Sequence, residues 1–150
     1  KRRYRNILFK RKIFSGTVCS FEYDPNRTAF LAKVFSFDTL EFFYILAPKN
    51  LVVGDLVNYS LKINQISLGD STILANIPVG SLIHNIELKP GKGGQLVRTA
   101  GNFAQLLEKI NGFARIRLNS GEQRLISLLL KSHLEVFLPN RLPLLIYLCQ

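Results

Sequence analysis

The chain has 150 residues, 47% of them apolar and 20% charged, enough for one ordinary domain or two small ones and inconsistent with disorder throughout. Twenty Lys and Arg against ten Asp and Glu give a formal charge of +10, which points to phosphate, either nucleic acid or an anionic surface. Two cysteines, Cys19 and Cys149, make neither a disulfide scaffold nor a four-ligand zinc site, and two histidines, His84 and His133, argue against a metal centre or a His-based triad.

The chain opens on a basic arm, residues 1–12. Lys1, Arg2, Arg3, Arg5, Lys10, Arg11 and Lys12 are unopposed by any acid there, whereas thirteen basic and ten acidic residues share positions 13–150. Such an arm is expected to be extended when free and ordered on a polyanion, or else a solvated tail. Tyr4, surrounded by charge, is a candidate for stacking on a base. Short strands and turns follow. Residues 16–23 and 28–37 are rich in β-branched and aromatic side chains and flank a turn at Asp24-Pro25-Asn26. Leu40–Leu46 is a further apolar strand, and Pro48, Asn50 and Gly54 precede another at 55–63. Four or five strands in about sixty residues, without a convincing helix, suit a small Greek-key barrel such as an OB-fold. Cys19 is expected to pack inertly within its strand.

Residues 82–88 alternate with a period of two, which predicts a strand with His84 packed beside Leu82 and Ile86. Residues 113–118 alternate as well, with Arg115 and Arg117 opposite Ala114, Ile116 and Leu118. Asn119-Ser120-Gly121 is a hairpin turn and 122–130 the returning strand. One segment conflicts with this second all-β unit: Phe103, Leu106, Leu107 and Ile110 have the i, i+3, i+4, i+7 spacing of a short helix. Phe103 is expected in the core. The last residues, 136–150, are apolar but interrupted by Pro139, Arg141 and Pro143, too short and broken for a membrane span. A tail docked on a neighbouring protein is the expectation. Met is absent, so the chain is read as processed or incomplete.

Residues 85–101 read NIELKPGKGGQLVRTAG. A Walker loop needs Gly-Lys followed by Ser or Thr, but Gly93 follows Lys92; a dinucleotide fingerprint begun at Gly91 would need glycine where Leu96 stands. What survives is approach of the backbone to a polyanion. Gly91, Gly93 and Gly94 lack a Cβ and offer N–H groups, Lys89, Lys92 and Arg98 neutralise phosphates, and Gln95 bonds to sugar or base edges. A flexible loop with solvated charges is the competing reading.

EYDPNRTA at 22–29, YILAPKNLVVGD at 44–55 and NIPVGSLIHNIELKPGKGGQLVRTAG at 76–101 resemble the universal L-two family of large-subunit ribosomal proteins. KRRYRNILFKR at 1–11 is similar to the basic stretch before that family's first barrel, and ARIRLNSGEQRLI at 114–126 to its later hairpin. The resemblance covers roughly residues 1–130 in five blocks in the family's order. It implies an all-β chain: a basic arm at 1–12, an OB-fold barrel at 13–75, an SH3-like barrel at 76–135 and a divergent apolar tail at 136–150, with 102–111 a strand. It also implies a structural, non-enzymatic constituent of the large subunit without a cofactor or small-molecule substrate. Its partners would be large-subunit rRNA and neighbouring ribosomal proteins. The implied rRNA contacts are Lys1, Arg2, Arg3, Tyr4, Arg5, Lys10 and Arg11 in the arm, Arg27 in the DPNR turn, and Lys89, Gly91, Lys92, Gly93, Gly94, Gln95 and Arg98 in the loop. The family's Gly- and His-rich C-terminal extension has no counterpart after Leu130, so it is expected to be lost or supplied by a separate chain. The divergent tail and the composition rich in Phe, Leu and Ile favour a mitochondrial ribosome over a plastid or bacterial one. A free-standing OB-fold module that binds RNA or DNA is the alternative.

Overall fold

The computed structural model describes residues 7, 9, 14–61 and 66–135, and side chains in the last strand as far as Ser132. The arm residues Lys1, Arg2, Arg3, Tyr4, Arg5, Lys10 and Arg11 and the tail at 136–150 lie outside the described residues.

Every regular element among the described residues is a strand. In chain order these are β1 (Phe14–Glu22), β2 (Leu31–Ser36), β3 (Phe42–Leu46), β4 (Leu56–Tyr59), β5 (Ser71–Ile73) and β6 (Leu82–His84). Then come β7 (Ile86–Glu87), β8 (Gly94–Leu96), β9 (Ala104–Ile110), β10 (Phe113–Leu118), β11 (Gln123–Ser127) and β12 (Lys131–Glu135). The fold is all-β, an OB-type barrel followed by an SH3-like one. One sheet runs through both in the order β11-β10-β9-β6-β12-β5-β4-β1-β2-β3, with β7 and β8 as a separate ribbon. The buried apolar residues nevertheless form two clusters. Phe14, Val18, Val34, Phe43, Ile45 and Val57 centre the first, and Leu74, Ile83, Ile86, Leu106, Ile116 and Ile126 the second. β12 joins them by pairing antiparallel with β5 on one side and β6 on the other.

Alternation makes the strands, and two bulges explain where it fails. β1 directs Phe14, Gly16 and Val18 inward, then shifts register between Val18 and Ser20. Cys19 is the extra residue; a bulge turns it out of the pleat, so its side chain is exposed rather than packed as expected. β9 shifts register opposite Arg115 and Ile116, leaving Leu107 as the extra residue between Leu106 and Glu108. That insertion places two leucines in succession and produces the helical spacing, although the segment is a strand. Phe103 precedes β9 and stays 38% exposed instead of entering the core.

Two other expected strands are shorter than alternation indicates. The run at 82–88 breaks at Asn85, whose φ of 50° turns the chain between β6 and β7. The returning strand at 122–130 ends at Ser127, because the chain turns through 128–130 to bury Leu130 and enter β12.

Candidate nucleic-acid interface

The glycine-rich loop leaves β7, turns, and returns through β8 to Arg98. It closes over one side of a cleft of about 210 Å³ between the two barrels. Lys92, Gly93, Gly94, Gln95 and Arg98 line the cleft from the loop, Tyr44 and Ile45 from β3, Tyr59 from β4, Ser71 from β5, and Lys131 from β12. Two cations of the loop and one from β12 thus share one concavity with aromatic walls, an arrangement suited to a backbone phosphate and a base together.

The loop's conformation is built into its residues. Gly93 has φ 87°, a left-handed conformation that a side-chain-bearing residue adopts at a cost, and its N–H donates to Glu87 Oε1 at 3.1 Å. Gly94 is needed for packing: a Cβ there would meet the Asn85 carbonyl oxygen at 2.7 Å and overlap the Asn85 side chain. Its missing side chain therefore admits the protein's own backbone, a packing role in addition to the expected approach to a ligand. At the root of the loop Asn85 donates its N–H to the Val97 carbonyl at 2.8 Å, and Val97 itself is held at φ 56°. A β-branched residue in that region is strained, and the strain sits immediately before Arg98.

The remaining candidates fall elsewhere. Lys89 and Gly91 are exposed and do not line the cleft. Arg27 donates through Nε to Asp24 Oδ2 at 2.6 Å and lies 5.0 Å over the Phe9 ring. Phe9 in turn lines the cleft, so Arg27 stands one ring away from it. The N–H of Asn26, 3.0 Å from Asp24 Oδ1, and the Arg27 guanidinium hold the Asp24 carboxyl below its usual range. Glu22 accepts a hydrogen bond from Tyr44 at 3.1 Å, so this pair of acids serves the turn and the sheet.

Sequence reasoning missed Lys131, Tyr59 and Glu87. Lys131 lies 4.7 Å over the Tyr59 ring, a pairing that the register of β12 against β5 brings about. Glu87 carried a signal, being the acid directly before the basic loop. His84 is buried beside this joint; desolvation pushes its pKa down to about 4, while a hydrogen bond involving the Leu46 backbone pulls the other way.

Fold and site together define a class: two fused β-barrels with a cationic cleft at their joint. The comparisons narrow it. Residues 1–59 match the family model described as Ribosomal Proteins L2, RNA binding N-terminal domain, and residues 67–132 match Ribosomal Proteins L2, C-terminal domain. The large ribosomal subunit protein uL2 of Rhizobium etli (strain CIAT 652) is 54% identical over 129 residues, covering 85% of this chain and 46% of the relative. That of Sinorhizobium medicae (strain WSM419) is 56% identical over 128 residues, covering 84% and 46%. The uL2 of Chelativorans sp. (strain BNC1) is 53% identical over 129 residues, with 85% and 46% covered. This chain belongs to the ribosomal protein L2 family, and it spans about half the length of the curated relatives it matches.

Proposed function

We propose that the chain is a structural, non-catalytic constituent of the large ribosomal subunit that binds large-subunit rRNA and supports subunit assembly and translation. The observation that carries this reading is the cleft, where five residues of the glycine-rich loop meet Lys131 between the two barrels. The first family model, described as RNA-binding, supports it from the other side of the joint. In this reading the arm adds affinity through Lys1, Arg2, Arg3, Arg5, Lys10 and Arg11, and Arg27, Lys89 and Gly91 contact RNA outside the cleft. The units act as two domains, proposed as 13–75 and 76–135; two separate cores support the division into two, with Leu74 packing into the second core. Partners are rRNA and neighbouring large-subunit proteins. The tail at 136–150 is the proposed docking element for such a protein.

A mitochondrial ribosome is the finer proposal. Its support is the apolar surface, including Phe37, Leu40 and Phe42, each at least half exposed, which suits contact with additional proteins. The relatives named above are bacterial, so a bacterial ribosome is the competing outcome. Sedimentation of cell and organelle lysates tests both levels. The chain is expected with the large subunit at high Mg²⁺ and moderate salt, in the mitochondrial fraction. Recovery only in the unsedimented fraction would favour the free-standing module, to which these relatives lend no support.

A further inference from the structure

The cleft holds one group that a phosphate-binding surface does not need. Glu87 is 6% exposed, lines the cleft, and uses Oε1 to accept the Gly93 N–H at 3.1 Å. Its Oε2 is buried and has no hydrogen-bond partner among the described residues. Lys92, Arg98 and Lys131 line the same cleft, yet among the described residues none forms an ion pair with it. A buried acceptor left open is costly, and a carboxylate accepts without donating, so the missing partner must bring N–H or O–H groups. A phosphate brings none and would be repelled.

We infer that the cleft receives an unpaired guanine of the RNA, with Glu87 accepting from its Watson–Crick edge and the three cations neutralising the flanking phosphates. This rests on the rRNA-binding reading and adds a base to it. Guanine alone among the four bases presents two adjacent donors, N1–H and the 2-amino group, with no acceptor between them. Adenine and cytosine place a ring-nitrogen acceptor beside their amino group, and uracil flanks its N–H with two carbonyls, so each would set a lone pair against the carboxylate. Unpaired bases in RNA are read on that edge while stacked on aromatic rings, and the half-buried Tyr44 supplies such a ring in the cleft wall.

The test is fluorescence anisotropy with the full chain, at fixed low salt, on single-stranded RNA heptamers: all uridine, or uridine with a central guanosine, inosine, adenosine or cytidine. A large-subunit rRNA fragment is titrated in parallel. The guanosine heptamer is expected to bind about tenfold more tightly than the uridine, adenosine and cytidine heptamers. Inosine, which keeps N1–H but lacks the 2-amino group, should fall between. Glu87→Gln retains shape and the acceptor for Gly93, so it should abolish the preference, read as the ratio of guanosine to all-uridine affinity within the variant, with a thermal melt to show that it is folded. The inosine comparison needs no variant and holds even if that protein folds poorly. Equal binding of all heptamers, with the rRNA fragment still bound, would overturn the guanine site and leave the rRNA reading standing. Tighter all-uridine binding by Glu87→Gln without any base preference in the parent would also overturn it, making Glu87 a repulsive group. Failure to bind either heptamers or the fragment would overturn both.

Discussion

The glycine-rich loop and the β10–β11 hairpin each carry three basic side chains, but the two surfaces have different electrostatic fates. On the hairpin, Arg115 pairs with Glu108 at 2.6 Å, Arg124 with Glu122 at 2.8 Å, and Arg117 donates to Gln105 at 2.7 Å. Around the loop, Lys89, Lys92 and Arg98 form no ion pair with a described carboxylate. The difference lies in geometry. A strand face presents neighbours at fixed cross-strand spacing, so an acid opposite an arginine satisfies it locally. A loop built on glycine has no such partners and leaves its charge available to a ligand.

The largest effect should come from acid and should separate the two regions. Because the His84 pKa falls from 6.5 to about 4 on folding, the unfolded chain binds more protons between those values. Stability is then complete above pH 6.5 and is lost as pH falls toward 4, by about 3 kcal/mol for this group. Hydrogen exchange across that window should show β6 and β12 losing protection before β10 and β11. The same titration on His84→Leu should remove most of the dependence. A smaller loss, about 2 kcal/mol by denaturant titration, is expected for Gly94→Val, since the new side chain must displace Asn85. Unchanged stability would return Gly94 to a role in ligand approach alone.

Arg98→Gln tests the availability of the loop charge. Affinity for a large-subunit rRNA fragment should fall about tenfold, with the log–log salt slope smaller by roughly 0.7–0.9. Arg115→Gln is the control and the smallest effect. Its ion pair is 43% and 40% exposed, so melting should show a change of about 0.5 kcal/mol, and the salt slope should not move. A slope change equal to that of Arg98→Gln would mean that local pairing does not withhold charge from RNA.

Much of the fold is legible without coordinates. The period of two around Ala114 and Ile116 fixes β10 to the residue, because a half-buried strand can satisfy its sheet in only one register. Turn residues mark most strand ends for the same local reason. Reading fails at Cys19 and across 103–110, where one extra residue breaks the period. A bulge is chosen by the curvature the barrel needs, which is a property of the closed sheet. Lys92, Gly93, Gly94, Gln95 and Arg98 were candidates by composition. That Lys89, Gly91 and Arg27 stand apart from them was not legible.

The sequence by itself determined what depends on neighbours along the chain: an all-β fold, a surplus of positive charge, and a loop whose glycines permit left-handed turns. Tertiary structure alone decided what depends on residues far apart in it. Pairing of β12 with both β5 and β6 carries Lys131 to the loop, and closure of the two barrels buries Glu87 and His84 at their joint. Burial and convergence arise only when surfaces meet, and no periodicity within one strand encodes which surface it will meet.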